Sequence, residues 1–193
     1  TVAEVQEATA KADIPGGHLE LGLGFHGGQR DYDEVPFTRA DAEVGDLDDV
    51  SNLALGRQTV SGLDVGGRLV WNHTRLGLAY RRSFPELDKD RTGSGLAITR
   101  FASHEVRLSL GFEAPTPVAK PFVDLTGDFT TLTLTVDDGQ RTARWRSDVF
   151  ALSAVGGVRV EPAPYTFVQV SGEYGITGPN TWGAQLTVGA RFL

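Results

Sequence analysis

From Trp182 to Leu193 the chain alternates apolar and polar residues without a break. Trp182, Ala184, Leu186, Val188, Ala190 and Phe192 fall on one face, and Gly183, Gln185, Thr187, Gly189 and Arg191 on the other. A period of two marks a β-strand with one apolar and one polar side. The same alternation recurs upstream and predicts strands over His18–His26, Val60–Trp71, Arg75–Phe84, Arg100–Phe112, Phe122–Val136, Arg144–Val160 and Tyr165–Ile176. Asn72-His73-Thr74, Ala114-Pro115-Thr116-Pro117 and Pro162-Ala163-Pro164 separate them as turns. Asp137-Asp138-Gly139-Gln140 and Thr177-Gly178-Pro179-Asn180 do the same, while Gly27–Gln58 and Pro85–Ile98 read as long loops. Short turns at one rim and long loops at the other predict an all-β fold, an eight-stranded antiparallel up-and-down barrel over residues 17–193. Residues 1–16 are helix-compatible until Pro15-Gly16-Gly17 and predict a short helical or disordered lead.

Alternation alone does not say which face is inside, since a soluble barrel turns its apolar face inward. The polar face carries Gly22, Gly24, Gly66, Gly77, Gly111, Gly157, Gly175 and Gly189, the spacing that long side chains need in a cramped lumen. It also carries six cations, Arg68, Arg75, Arg81, Arg107, Arg159 and Arg191, against six anions, Glu20, Asp64, Glu105, Asp124, Asp128 and Glu173. A closed interior requires such a balance, because an unpaired buried charge costs several kcal/mol. Aromatic residues stand at the apolar strand ends, with Trp71, Phe112, Tyr165 and Phe192 at the short-turn rim and Phe25, Phe84 and Trp182 at the other. Two interfacial girdles of this kind belong to a transmembrane barrel. The apolar face is therefore expected to meet lipid, and the twelve charged residues to form an interior ionic network.

These strands, the unequal rims and the final Val188-Gly189-Ala190-Arg191-Phe192-Leu193 resemble the OmpA/OmpX-like small outer-membrane barrels of Gram-negative bacteria. The resemblance implies location in the bacterial outer membrane, short turns in the periplasm, long loops at the cell surface and no open pore.

Composition narrows the picture. The net charge of −7 argues against nucleic acid as a partner, and the absence of cysteine excludes disulfides and thiolate chemistry. No apolar run is long enough for a transmembrane helix. The first residue is Thr1, which is read as the start of a processed, exported chain. Gly27–Gln58 holds eight acidic residues against three arginines. Within it, Asp46, Asp48 and Asp49 lack the full ligand set of a calcium loop and read as a solvated acidic segment. Among His18, His26, His73 and His104 no pair has metal-ligand spacing, and neither a metal nor a cofactor is expected.

Ser83 and Ser103 are expected to point inward, away from any lipid substrate, so no catalytic residue is assigned. Arg82 and His104 interrupt the apolar faces near the outer rim, with Arg100 close by; they are the candidate contacts for lipid headgroups and lipopolysaccharide phosphate. The function expected is a non-enzymatic outer-membrane barrel with a closed, charge-paired interior. Its role would be structural, adhesive or partner-docking, with a protein partner at the extracellular hairpin or loops. The alternatives are a narrow pore for small solutes and a lipid A-modifying enzyme. Strands five and six exceed the ~9–11 residues that a tilted membrane strand needs. Their apolar set slips from Phe129 to Leu132, which predicts a bulge where the strand leaves the membrane.

Overall fold

The computed structural model describes residues 17–33, 35–39, 55–86, 97–137 and 142–192. The expected lead over 1–16, Asp46, Asp48 and Asp49, and the tip of the Asp137–Gln140 turn lie outside the described residues. Among the described residues nine strands follow one another: β1 (His18–Asp31), β2 (Thr38–Arg39), β3 (Arg57–Trp71), β4 (Thr74–Pro85), β5 (Ala97–Glu113), β6 (Ala119–Asp137), β7 (Thr142–Val160), β8 (Thr166–Thr177) and β9 (Thr181–Phe192). Leaving aside the two-residue β2, eight strands pair antiparallel with their neighbours, and β1 pairs with β9 to close the ring. The result is an up-and-down barrel with no free edge through its wall.

The alternation sorts the side chains as lipid would sort them. Leu23, Leu63, Leu78, Leu108, Leu125, Val170 and Leu186 all point outward and stay about half exposed or more. An apolar belt running right round the ring far exceeds the patches soluble proteins tolerate. The inward column is the reverse. Arg75, Arg159 and Glu105 are fully buried, and Glu20 and Asp128 are 1 % exposed. A soluble barrel would place these charges outside and the leucines within, so the outer face of this barrel is the one built for hydrocarbon.

At the lower rim Trp71 pairs with Thr74, leaving Asn72 and His73 as a two-residue turn. Both are left-handed, at φ 47° and 69°. That geometry matches the right-handed twist of the flanking strands and is usually filled by Asn-Gly. His73 accepts the strain while its ring lies 6.0 Å from that of Phe112.

The structure departs from the sequence-based expectations in two places. First, β1 continues to Asp31 and β3 begins at Arg57, so the first loop is shorter than Gly27–Gln58. Second, there is no bulge between Phe129 and Leu132. β6 pairs in unbroken register with both neighbours there, and the apolar residues change sides instead. Val123, Leu125 and Phe129 face outward and are exposed, whereas Leu132, Leu134 and Val136 face inward and are buried. Beyond the membrane the outside is water, so the apolar side of the strand must turn inward to find a core.

That core exists. The extended ends of β5, β6 and β7 contribute Phe101, Leu132, Leu134, Val136, Ala143 and Trp145. The first loop folds over them with Tyr32 and Leu55, and Val35 and Phe37 pack alongside. Tyr32 meets Phe101 edge-on at 5.0 Å between ring centroids. The lumen is thus roofed at the long-loop end by an apolar lid. The pairing of β7 with β8 stops at Leu152, and above it β2 takes the vacated edge, setting Thr38 opposite Arg146 and Arg39 opposite Trp145.

Candidate functional site: a stratified ionic lumen and a basic outer patch

Inward-facing positions come from every barrel strand, so charges far apart in sequence meet across the lumen. They gather in two layers. In the upper layer Arg81 donates through Nε to Asp64 at 2.6 Å and through Nη1 to Glu173 at 3.0 Å. Arg107 donates to Asp128 at 2.7 Å and to the same Glu173 oxygen at 3.0 Å. Arg30 bonds Glu105 at 2.9 Å, and Ser153 donates to Asp128 at 2.8 Å. His26 bridges two strands, with Nδ1 2.9 Å from Asp64 and Nε2 2.9 Å from the Ser83 hydroxyl.

The lower layer centres on Arg159. It contacts Glu20, Glu113 at 3.0 Å and Glu161 at 2.6 Å. Arg75 sits 3.2 Å from Asp124, and its guanidinium lies 3.6 Å from the centroid of the Phe122 ring. Arg68 reaches Glu20 at 3.6 Å, and Arg68 and Arg75 both donate to Gln169 at 2.9 Å. Arg191 approaches Glu161 at 3.6 Å, beside Lys120 at 3.3 Å. Between the layers lies a cavity of about 90 Å³, bordered by Gly22, Gly24, Gly66 and Gly77. It has room for several water molecules. A Cβ on Gly77 would stand 2.4 Å from the Ser109 hydroxyl and one on Gly66 2.7 Å from the Ala79 Cβ, so neighbouring side chains already occupy the space at these positions.

All twelve charged residues named from the sequence therefore face the lumen and have charged neighbours there. The lumen also holds polar side chains that the count of strand charges does not pick out: His18, His26, Arg30, Glu113, Lys120, Glu161, Gln169 and Gln185. Arg30 lies in the last stretch of β1, beyond the His26 end that the apolar alternation predicts. Continuing the alternation through the even positions from His18 to Arg30 would have found it. Glu113 and Glu161 stand at strand ends against proline-rich turns, and the glutamines carry no charge to count. Ser103, like Ser83, is buried inside the barrel, at 0 % and 2 % exposure.

The outer patch lies on adjacent strands. Arg82 and His104 are cross-strand partners on the outward face. Arg82 lies over the Phe84 ring at 5.2 Å, and the Tyr80 hydroxyl is 2.5 Å from His104 Nδ1. Arg100, farther up β5, is exposed and opposite Thr135. Of the seven aromatics assigned to the interfaces, all are exposed on the outer surface, Trp71 at 60 % and Tyr165 at 54 %. Among the described residues no cluster of His, Asp or Glu has the arrangement of a metal site.

No protein-family model matches this sequence, and no curated protein matches it. Solved structures do. The crystal structure of Neisserial surface protein A aligns at TM-score 0.55 and 13 % identity, over 90 % of this chain and 96 % of that one. Ail, the attachment invasion locus protein of Yersinia pestis, aligns at TM-score 0.51 and 12 % identity, over 92 % and 98 %. The chain has the fold of the small eight-stranded outer-membrane β-barrels.

Proposed function

We propose that this chain is a non-enzymatic barrel of the bacterial outer membrane, closed inside and serving a structural, adhesive or partner-docking role at the cell surface. One observation carries the reading: a lipid-facing belt encloses a lumen crossed by ion pairs and roofed by an apolar lid. Arg81 and Arg107 in the upper layer each hold more than one carboxylate, so opening a continuous water path means separating buried pairs at several kcal/mol apiece. A closed barrel of this kind acts through its surface. The long-loop end supplies that surface, and the similarity to a surface protein and to an attachment protein supports it.

In this reading Arg82, Arg100 and His104 hold the phosphates of lipopolysaccharide at the outer leaflet. The Arg82 and Arg100 guanidiniums, with the His104 ring beside Arg82, stand where the apolar belt gives way to the polar extension, and a guanidinium forks naturally onto phosphate oxygens. The test is made on protein refolded into detergent and confirmed as folded by its altered migration on an unboiled SDS gel. In planar bilayers it should give no steady conductance, and cells displaying it should attach to surfaces better than cells without it. A steady, large single-channel current would overturn the closed interior, and equal attachment would overturn the adhesive role.

A further inference from the structure

Of the three guanidiniums in the upper layer of the lumen, Arg30 is the least tied. Among the described residues it pairs with one carboxylate, Glu105, at 2.9 Å, whereas Arg81 and Arg107 each reach three. It also stands next to the lid. Arg30 and Tyr32, two residues apart, border one small space together with Leu132 and Asp128. Glu105 is fully buried and Arg30 nearly so. Such a pair is firm only while water is kept from it. In water an exposed pair is worth little, and a long arginine side chain swings freely. The lid is therefore what makes Arg30 hold.

The charge of the layer depends on this one arm. Arg30, Arg81 and Arg107 face Asp64, Glu105, Asp128 and Glu173, with His26 set against Asp64. With Arg30 turned out to water, four carboxylates face two guanidiniums. Beneath them lies the cavity of about 90 Å³, which Glu20, Asp64 and Asp124 border against Arg68 and Arg107. Both stages of a path from outside thus favour positive charge, and the cavity has room for a guest of only a few heavy atoms. We infer that the lumen has an entrance at its lid end, that Arg30 is the latch of this entrance and the lid keeps it shut, and that the solute admitted to the cavity is a small organic cation such as a primary ammonium. This inference rests on the closed resting barrel proposed above, and adds where it opens and to what.

Ser109 borders the cavity and the chain has no cysteine, so Ser109→Cys reports entry. The probes are two methanethiosulfonates of similar size, one carrying an aminoethyl group and one a sulfonatoethyl group, added to the full chain in lipid nanodiscs and read by mass. With Ser109→Cys alone, neither reagent should modify the thiol. Arg30→Met removes the latch, and Tyr32→Ala loosens the lid while keeping Arg30. Added to Ser109→Cys, either change should speed modification by the ammonium reagent at least ~10-fold, with the sulfonate reagent at least ~10-fold slower than the ammonium one. The SDS gel shift certifies a folded barrel in every sample. Protection that survives in either variant, or equal entry of the two reagents, overturns the inference. Rapid modification with Arg30 and Tyr32 both intact overturns the closed resting barrel instead, so the two failures are told apart.

Discussion

Arg81 on β4 reaches Glu173 on β8, the strand directly opposite in the ring of eight, and donates to it at 3.0 Å. Arg107 meets the same carboxylate oxygen from the next strand at 3.0 Å. Glu173 is therefore a tie across the diameter, and its neighbours set what its loss costs. Arg107→Met removes a cation and leaves Asp128 and Glu173 facing each other in a buried layer. Its cost should be about 3–5 kcal/mol. Arg107→Met with Glu173→Met keeps the layer's charge balance and should cost less than the single change. The check is denaturant unfolding in micelles, followed by tryptophan fluorescence. Strictly additive losses would show that the two residues act independently.

The lipid-facing belt makes a simpler demand. Leu108 and Leu186 are 50 % and 48 % exposed on the outer surface, in the middle of their strands. Arginine at either position should cost about 2–4 kcal/mol in a bilayer. Unfolding of the two variants in lipid vesicles measures this, and two variants as stable as the parent would mean that these faces meet no hydrocarbon.

Most of the barrel was legible because lipid outside and a charge-lined lumen inside force every residue to take a side. Leu186 and Arg191 declare opposite faces with no knowledge of the fold. The same rule failed at Leu132, where it produced an expected bulge. It assumed that apolar residues always face out, which holds only at membrane depth. The two-residue β2 was illegible for another reason. Thr38-Arg39 has no pattern of its own and pairs only because β8 has already left the β7 edge. In the lumen, Glu20, Arg81 and Arg159 were legible as charges on a polar face. Their partners were not, since which charges meet across the ring depends on the stagger of eight strands.

The lid predicts a pH response. Tyr32, at the start of the first loop, is 2 % exposed, and burial raises its phenol above the ordinary value of 10. A raised value in the folded state means that the stability contribution is intact below pH 10. It is lost as the pH rises through the folded value. Ultraviolet titration near the phenolate band should show one tyrosine ionising later than free tyrosine, with the lid loosening as it does. Tyr32→Phe should remove that late step and extend the lid's stability to higher pH. A Tyr32→Phe curve that keeps the late step would assign it elsewhere.

The inversion of β6 marks where the membrane ends. Val123, Leu125 and Phe129 face outward, and Thr131, Thr133 and Thr135 continue the same outward column with no break in register. Across that boundary the inward column changes from Asp124 and Asp128 to Leu132 and Leu134. Lipid therefore covers the outward column up to about Phe129 and water covers it beyond. With no native cysteine, single substitutions read this directly. In lipid nanodiscs Thr133→Cys should react quickly with a charged maleimide, while Leu125→Cys should stay unlabelled until the disc is dissolved. The inward side supplies the complementary test. Leu134 is fully buried in the lid, so Leu134→Ala should cost about 2–5 kcal/mol of local stability. Proteolysis within the first loop should then speed up while the gel shift of the barrel is kept. Labelling of Leu125→Cys at the rate of Thr133→Cys would place the membrane boundary elsewhere. A Leu134→Ala lid as protease-resistant as the parent would show that the apolar side of this strand has no core to protect.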